Sequence, residues 1–538
     1  MAVAASSSPP FVQVREKIEL TDIEKKIFDR LLGTLRHFGL QNQLRVAGGW
    51  VRDKLLGKDC YDIDIALDNM LGSEFVEKVA QYLLSVGEEA QGIAIIPSNP
   101  DQSKHLETAR MRICDMWIDF VNLRCEEYSD NSRIPTKQKY GTAEEDAYRR
   151  DLTINSLFYN INTNLVEDYT KRGIEDLKSG KIVTPLPAKA TFMDDPLRVL
   201  RAIRFGARFE FVLDKELKEA ASCDDVKAAL AAKISRERIG AEVDLMISGN
   251  QPVKAMTYIC DLKLFWVVFS LPPKIEPAEP EGCDRLSIAY LDATWNLIQL
   301  VGYASFSVSG KSTKNGSSWM DEQRRLSLYA AMFLPLRETT YKDNKSKKNP
   351  VVNFIFRDSL KRKVSDAETV INIHHALKKF LLLLPSLASN EDFQLTEVDW
   401  ASELVDIPVH SKLRVLTGFL LREIKGFWRV ALLMSTLLYE IDSTEDLLNK
   451  NFQLDKLKDA FKAAENTVIQ LGLEKVWDIK PLVNGKEIMN VLELKSGGPL
   501  VREWQQKLLA WQLANPSGSA EECLEWMKQT HSKRLKMV

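Results

Sequence analysis

The stretch VAGGWVRDKLLGKDCYDIDIAL, residues 46–67, places two glycines before a basic and an acidic residue and then alternates carboxylates with isoleucines. LRVAGG is expected to form a strand, and WVRDKLL a short helix that ends at Gly57. DIDIAL, in which polar and apolar residues strictly alternate, is predicted to be a second strand. The pattern therefore predicts a strand, a glycine turn, a helix and a strand that carries two acids.

Asp62 and Asp64 are predicted to project from one face of the second strand, because residues i and i+2 of a strand point the same way. Two adjacent like charges repel, so a partly buried face favours a bound cation. Mg²⁺ is a hard ion that one or two carboxylates and phosphate oxygens can hold. The alternative is a solvated strand edge with two acids. Asp119, the sole charged residue in MWIDFV, is the best candidate for a third acid, and Asp115 is the second choice.

Gly48 and Gly49 lie at the end of the first strand, just before the short helix. Without a Cβ, such residues let backbone N–H groups approach an anion at a helix N-terminus. Arg52, one turn into the helix, adds a cation suited to a triphosphate. Taken alone, a Gly-Gly pair is more often a simple tight turn, but the following carboxylates favour a phosphate site beside a two-metal site.

The composition of the 538 residues limits the classes of protein that this chain can be. It is 45% hydrophobic and 28% charged, without an apolar run long enough to span a membrane, as expected for a water-soluble globular protein. A formal net charge of −2 excludes a chain that is basic throughout, so any nucleic-acid contact must come from a local patch. Seven scattered cysteines without paired spacing predict reduced thiols in an intracellular protein.

The fold is predicted to be α+β, with a mixed-sheet domain followed by helices. Thr21 and Glu24 form a capping box that begins a helix ending at Gly39. Further strands are expected in ETARMRI, MWIDFVNL and LTINSLFYNI. From about residue 192 nearly every periodic segment has helical spacing, as in ISRERIGAEVDLMI, where Ser235 is the predicted N-cap.

The segment GGWVRDKLLGKDCYDIDIAL resembles the signature of the polymerase-β-like nucleotidyltransferases. Four later segments follow in the order found in the class II CCA-adding enzymes, the tRNA nucleotidyltransferases. They are RRDLTINSLFYN (149–160), DYTKRGIEDLKSGKI (168–182), DDPLRVLRAIRFGARF (194–209) and ISRERIGAEV (234–243). Five motifs in one order make a chance resemblance very improbable.

The resemblance implies an enzyme that adds C, C and A to the tRNA 3′ end from CTP and ATP, with two Mg²⁺ ions and no nucleic-acid template. It also implies a mixed-sheet nucleotidyltransferase head followed by an all-α neck, body and tail. The corresponding domains are an N-terminal extension with the first helix (1–34), the catalytic head (35–165), the neck (166–250), the helical body (251–400) and the tRNA-binding tail (401–538).

The family's motifs also imply roles for individual residues. Arg149, Arg150 and Asp151, together with Asn155, would hold the ribose and triphosphate. The family's amino-acid template, Glu-Asp-x-x-Arg, falls on three residues: Asp194, Asp195 and Arg198. Its first position is Asp here rather than Glu, which leaves the orienting role of Asp194 open.

The predicted base-reading pair also has a physical rationale. Asp195 and Arg198 are three residues apart, so on one helix face a carboxylate acceptor and a guanidinium donor would form a fixed edge. A carboxylate accepts a hydrogen bond from the exocyclic amine of cytosine or adenine, which guanine and uracil lack at the corresponding place. The alternative is an ordinary ion pair within the helix, with Pro196 as the first helical residue and Asp195 as its cap.

Arg201, Arg204 and Arg208 fall on one side of the same helix and are candidates for contact with the phosphates of the tRNA acceptor stem. The alternative is a solvated stripe, or one paired with the acids of DKELKEA. Residues 125–147 resemble the family's flexible loop, and residues 485–504 its tail segment, in which a glycine turn precedes a helix.

Three other functions are compatible with the motifs. A poly(A) polymerase shares the fold, a CC-only or A-only tRNA nucleotidyltransferase differs subtly, and a catalytically inactive head would leave an RNA-binding scaffold. The expected location is cytoplasmic and nuclear. A mitochondrial share is a further option, although MAVAASSSPP has no arginine and supports a targeting segment weakly. The oligomeric state is left open.

Overall fold

A computed structural model describes residues 12–96, 107–129, 132–302, 316–389, 407–440, 444–450 and 452–537. The chain divides into two compact units. The first comprises Met1–Ser270 and Asp358–Lys361, and the second comprises Leu271–Arg357 and Arg362–Val538. The predicted head and neck both fall in the first unit, and the division into five domains stays a prediction.

Within the described residues, seven strands of the first unit form one mixed sheet. Its order is β3-β4-β5-β2-β1-β8-β9, and β2 and β5 run parallel while the other neighbours are antiparallel. The strands are β1 (Leu44–Ala47), β2 (Ile63–Leu67), β3 (Gln91–Ile96), β4 (Thr108–Ile113), β5 (Met116–Asn122), β8 (Phe158–Asn160) and β9 (Leu165–Glu167). β6 (Arg124–Ser129) and β7 (Ser132–Tyr140) form a separate antiparallel hairpin.

Helices flank this sheet and make up the rest of the first unit. They are α1 (Asp22–Phe38), α2 (Gly49–Leu55), α3 (Gly72–Ser85), α4 (Ala143–Tyr148), α5 (Gly173–Lys178), α6 (Ala188–Asp194), α7 (Leu197–Phe209), α8 (Lys215–Ala221), α9 (Asp224–Lys233), α10 (Arg236–Ile247), α11 (Pro252–Asp261) and α12 (Phe265–Val268). A two-stranded parallel pair, β10 (Lys181–Ile182) and β11 (Val212–Leu213), lies among them.

The second unit is mostly helical. Its helices are α13 (Cys283–Val301), α14 (Gly316–Met332), α15 (Val351–Phe354), α16 (Val364–Ser389), α17 (Val409–Ile424), α18 (Trp428–Glu440), α19 (Thr444–Leu448), α20 (Leu454–Gln470), α21 (Gly485–Val491), α22 (Pro499–Ala514) and α23 (Ala520–Met537). A small sheet of β12 (Ile275–Glu276), β13 (Thr340–Lys342) and β14 (Lys348–Pro350) interrupts them. Its strands are too short to show the alternation of polar and apolar residues by which a strand is predicted. No helix in the described part of the chain has the length and apolar character needed to cross a membrane.

The α+β fold is confirmed, and several local predictions hold as well. The alternation in β2 buries Ile63 and Ile65 completely on one face. In α10, Ile239 and Val243 form the expected buried stripe, although the Ser235 side chain makes no capping hydrogen bond. The tail segment also has the expected glycine turn, since Gly498 immediately precedes α22.

Two segments differ from the sequence prediction. LTINSLFYNI contains a 3₁₀ turn and only three strand residues, because polar side chains there bond the backbone: the Ser156 hydroxyl donates to the Leu152 carbonyl and the Asp151 carboxylate accepts from the Leu152 N–H. The segment expected to be a loop, residues 125–147, contains most of the β6–β7 hairpin and the start of α4.

The predicted capping box of α1 also anchors α2. Thr21 and Glu24 cap the helix reciprocally, and Gly39 ends it with a left-handed φ of 64°. The buried Glu24 carboxylate accepts further hydrogen bonds from Trp50 Nε1 at 3.0 Å and from Lys54 Nζ at 2.7 Å. One carboxylate therefore fixes the helix that follows the glycine turn.

We expect Glu24→Ala to weaken the α1–α2 contact strongly. Lys54 would be left buried without its partner, at a cost of about 3 kcal/mol. Backbone amides in α1 and α2 of the full chain should then exchange about 100-fold faster in hydrogen-exchange mass spectrometry. Asp22→Ala removes an exposed carboxylate from the same helix and serves as the control. Equal exchange in the two variants would contradict this account.

Candidate active site

Three carboxylates lie on the open face of the central sheet. Asp64 lies in β2 and pairs in register with Asp119 of β5, while Asp62 directly precedes β2. Burial, followed by the charges of Asp62 and then Asp119, raises the pKa of Asp64 to about 6. The three side chains therefore act on one another electrostatically, as expected when acids gather without a cation.

The two candidates for the third acid have different surroundings. Asp119 accepts a hydrogen bond from Arg110 Nε at 2.5 Å. Asp115 lies in the turn between β4 and β5, with a left-handed φ of 65°, and pairs with Arg112 at 3.2 Å. The position of Asp119 in register with Asp64 and its effect on the Asp64 pKa favour it over Asp115.

The carboxylates could hold Mg²⁺ only together with other oxygen ligands. Among the described residues, no group of three or more His, Cys, Asp or Glu side chains is arranged to hold a metal ion. Burial and the neighbouring carboxylates disfavour the charged form of Asp64, and a divalent ion bound there would offset both effects. Mg²⁺ commonly takes one or two carboxylates and completes its shell with water and substrate phosphates.

A cavity of about 630 Å³ opens beside Asp64. Its described lining includes eight arginines and six acidic residues, a positive balance that suits a triphosphate. Asp62, Asp119, Asp194 and Arg204 are the predicted site residues outside this lining. Those within it are Gly48, Gly49, Arg52, Asp64, Arg149, Arg150, Asp151, Asn155, Asp195, Arg198, Arg201 and Arg208.

Gly48 has a different role from the one expected. It has a φ of 66°, and a Cβ there would lie 2.8 Å from Arg150 Nη1 and 3.2 Å from the Asn155 carbonyl oxygen. Its N–H donates to the Leu157 carbonyl at 2.9 Å, so that group is not directed at an anion. Gly48 makes room for Arg150, whereas a Cβ at Gly49 would have only an ordinary contact.

Arg149 and Arg150 are both held by Asp146, an acid that was not among the predicted site residues. Asp146 accepts from Arg149 Nε at 2.8 Å and from Arg150 Nη2 at 2.8 Å. Burial would raise the pKa of Asp146, but the charges of Arg150 and Arg149 reverse this effect and lower it to about 2. The sequence carried a signal, because Asp146 precedes the two arginines by three and four residues in EEDAYRR.

A second network joins Asp151, Asn155 and Arg52. The Asp151 carboxylate accepts from Asn155 Nδ2 at 3.1 Å and from Arg201 Nε at 2.7 Å. Burial would raise the pKa of Asp151, but Arg201 and Asn155 lower it overall. Asn155 in turn accepts a hydrogen bond from Arg52.

Arg52 is buried rather than presented openly to a triphosphate. Its Nε donates to Asp53 at 2.8 Å, and its guanidinium carbon lies 5.0 Å and 4.8 Å from the ring centres of Phe205 and Phe209. Burial lowers its pKa from the ordinary value. Arg52 lines the cavity and, through its contacts with Phe205 and Phe209, links α2 to α7.

The predicted base-reading residues converge on the cavity, but not from one helix face. Asp195 lies between α6 and α7 in an extended conformation, and its carboxylate accepts from the Leu197 N–H at 3.2 Å. Arg198 Nη2 donates to the Arg149 carbonyl at 2.7 Å. The prediction of a shared helix face was wrong, because α7 begins at Leu197. Asp194 ends α6, and burial raises its pKa.

The three arginines predicted to follow tRNA phosphates have acidic partners in the structure. Arg201 pairs with Asp151, Arg204 with Glu242 at 2.6 Å, and Arg208 with Asp53 at 3.4 Å. Glu242 lies in α10, distant in sequence, and gave no signal that could be read from the pattern. Contact with the acceptor stem stays a prediction for all three.

Comparison with known proteins shows the family to which the chain belongs. Residues 44–183 match the family described as the poly A polymerase head domain. The chain is 33% identical to the mitochondrial CCA tRNA nucleotidyltransferase of Saccharomyces cerevisiae, covering 98% of this chain and 96% of that protein. It is 31% identical to a tRNA nucleotidyltransferase of Schizosaccharomyces pombe, covering 95% and 99%.

A solved structure supports the fold along the whole chain. The Bacillus stearothermophilus CCA-adding enzyme in complex with CTP matches with a TM-score of 0.59 and 17% identity, covering 96% of this chain and 100% of that one. The head thus defines a nucleotidyltransferase of the polymerase-β-like class. The chain belongs to the family of CCA-adding tRNA nucleotidyltransferases.

The raised pKa of Asp64 predicts a pH-dependent cost in the metal-free protein. Between about pH 4 and pH 6 the unfolded chain loses this proton while the folded chain keeps it, so stability falls as pH rises. Above pH 6 we expect Asp64→Asn to regain roughly 2 kcal/mol. The first thermal transition at pH 8, with a chelator present, should therefore rise by about 4 °C or more.

The control for this measurement is the same pair of proteins at pH 4. The difference should be small there, because the wild-type Asp64 is protonated in the folded chain and the two side chains are then alike in charge. A midpoint for Asp64→Asn at or below wild type at pH 8 would contradict the argument.

Proposed function

We propose that this chain adds C, C and A in turn to the 3′ end of tRNA, using CTP and ATP and no nucleic-acid template. The observation that carries the proposal is the coupling of Asp62, Asp64 and Asp119 at the edge of an arginine-lined cavity. The names of the full-length relatives support the same reaction.

Asp62 and Asp64 are the residues that would hold two Mg²⁺ ions together with phosphate oxygens of the substrate. When bound, such ions lower the charge barrier between an attacking hydroxyl and a triphosphate. The chain's own part is to orient the reactants, so that the tRNA 3′ hydroxyl attacks the α-phosphate in line and pyrophosphate leaves. Asp119, paired with Arg110, adds negative charge beside the metal ligands.

Arg149 and Arg150 are the cations placed to balance the triphosphate. Asp146 holds both, so the guanidinium groups are positioned before substrate arrives and less order must be created on binding. Gly48 leaves the space that Arg150 occupies. A substitution in this group would therefore affect nucleotide binding through position as well as charge.

Asp195 and Arg198 are proposed to read the base. Asp195 offers an acceptor to the exocyclic amine of cytosine or adenine, and its other contacts, to Leu197 and Arg238, limit its movement. Arg198 is fixed through its bond to the Arg149 carbonyl, which links base recognition to the triphosphate site. An edge built this way favours C and A over U and G.

A second candidate function is poly(A) polymerase activity, because the family matched by residues 44–183 carries that description. Such an enzyme would extend RNA with a ladder of A residues. A CC-only or A-only enzyme would stop early or require a tRNA that already ends in CC. An inactive scaffold is disfavoured by the intact carboxylates and arginines.

The location of this protein in the cell is also proposed. The matching Saccharomyces cerevisiae relative is described as mitochondrial, which supports a mitochondrial share for this chain. The cytoplasmic and nuclear location expected from the sequence stays a prediction. Fluorescent tagging at the C-terminus, leaving the N-terminus free, would test each compartment.

The reaction is tested by incubating the pure protein with Mg²⁺, CTP, ATP and a tRNA that lacks its last three nucleotides, then sequencing the 3′ ends. We expect growth by CCA and then arrest. Asp64→Ala should reduce incorporation by at least about 1,000-fold, since one of the two carboxylates that would hold the ions is removed. Asp115→Ala should stay within about threefold of wild type, whereas Asp119→Ala should be strongly impaired.

Two results would overturn these assignments. A ladder of many A residues from the wild-type protein would favour poly(A) polymerase. Equal activity of Asp64→Ala and wild type would remove the carboxylates from the mechanism.

Base selection is tested by Asp195→Ala in single-nucleotide additions. Loss of the acceptor should lower the ratio of kcat/KM for CTP to that for UTP by about tenfold or more. Asp225→Ala, in the exposed first turn of α9, is the matched control and should keep the wild-type ratio. An unchanged ratio in Asp195→Ala would place base recognition elsewhere.

A further inference from the structure

A second cavity, of about 760 Å³, adjoins the arginine-rich one at Asp64. The two cavities share Gly49, Arg52, Asp64 and Arg208, so they meet at the catalytic carboxylate. Most residues that line this second cavity have no role in the proposed binding of the metal ions and the triphosphate. Its lining differs in character, because it contains three arginines rather than eight and includes the exposed aromatic side chains of Tyr61 and Trp117.

Trp117 lies on the same sheet face as the carboxylates. It is two residues before Asp119 in β5, which places its Cα about 7 Å further along that face. Ile63 pairs with Ile118 in the parallel β2–β5 ladder, so Trp117 is level with Asp62 on the neighbouring strand. An aromatic ring thus stands next to the predicted metal ligands.

The sheet is shaped to accommodate this ring. Gly92 is the extra residue of a bulge in β3, with a φ of 56°, and a Cβ there would lie 2.9 Å from Trp117 Cη2. The Arg110 guanidinium carbon lies 5.6 Å from the centre of the Trp117 ring system. Trp117 is nevertheless 44% exposed and Tyr61 is 76% exposed, so both rings are accessible to a ligand in the cavity.

The charges of this cavity suit flat bases better than phosphates. Asp62 and Asp64 repel phosphate unless cations are bound between them. Two arginines that line this cavity are already paired with acids: Arg208 with Asp53, and Arg110 with Asp119. Stacking on aromatic rings does not depend on a free cation and tolerates any base.

In-line attack restricts where the RNA 3′ end can lie. If the triphosphate lies among the arginines of the first cavity, the attacking hydroxyl must reach the α-phosphate from the side opposite the leaving pyrophosphate. The second cavity reaches Asp64 but is lined mostly by residues that the first cavity does not contact, which makes it the candidate for that side. The unpaired end of an RNA is the only reactant that remains to be placed.

We propose that Trp117 and Tyr61 form a stacking platform for the unpaired bases at the tRNA 3′ end and so position the terminal ribose at Asp64. Gly92 is a positioning residue, since it keeps the space that the Trp117 ring requires. The inference rests on the proposed CCA addition and assigns the acceptor side of that reaction.

The test measures KM for tRNA and KM for CTP separately in the full-length protein. Trp117→Ala should raise KM for tRNA by about tenfold, the size expected for one lost base stack, while KM for CTP stays within about twofold. Trp117→Phe should recover most of the loss. Leu165→Ala, which removes an exposed apolar side chain from β9 at the far edge of the sheet, is the matched control.

A second readout separates stacking from a general loss of structure. A tRNA that carries 2-aminopurine as its last base should lose fluorescence on binding wild type and Trp117→Phe, but much less on binding Trp117→Ala or Tyr61→Ala. Equal quenching in all variants, or an unchanged KM for tRNA in Trp117→Ala, would overturn the platform. Failure of the wild-type protein to incorporate CTP is a different result, which would contradict the proposed function itself.

Discussion

The active site depends on the repulsion between two carboxylates, one in β2 and one on the residue directly before it. Burial and the charges of Asp62 and Asp119 already raise the pKa of Asp64 to about 6, so the folded protein maintains an unfavourable arrangement. The sheet imposes it, because Ile63 and Ile65 must face the core and Asp62 and Asp64 must then face outward. A perturbed carboxyl beside a cavity is typical of a functional site, and a bound cation would relieve the repulsion.

Repulsion between like charges also arises among the arginines, where acidic side chains of the chain itself offset it. Arg149 and Arg150 would repel each other beside the cavity, but Asp146 lies beneath them and holds both. Asp151 and Glu242 do the same for Arg201 and Arg204. Arginines outnumber acids in the described cavity wall, and the acids, some of them within the wall itself, fix the positions of the arginines. A triphosphate entering it meets cations whose positions are already set.

Local patterns predicted part of this arrangement. The alternation in DIDIAL placed the carboxylates, and the capping box placed α1, because both signals come from residues a few positions apart. The proposed base-reading role of Asp195 and Arg198 came from a family resemblance, and the local geometry predicted for the two was wrong, since Asp195 lies before α7.

The tertiary partners could not be predicted from one sequence. Glu242 meets Arg204 only because α10 packs near α7, and Gly92 meets Trp117 only because a bulge in β3 faces the next strands. The N–H of Gly48 was expected to face an anion, but it bonds the carbonyl of Leu157, which directly precedes β8 and lies more than 100 residues further along the chain. Pairings of this kind depend on the packed chain, and no local periodicity encodes them.

The most direct test of the central claim is diffraction from crystals grown with Mn²⁺ and a non-hydrolysable CTP analogue, using the anomalous signal of the metal. We expect Mn²⁺ between the Asp62 and Asp64 carboxylates, with the triphosphate extending toward Arg149 and Arg150. Metal bound away from Asp64, or a triphosphate lying on the Trp117 side of it, would contradict the account.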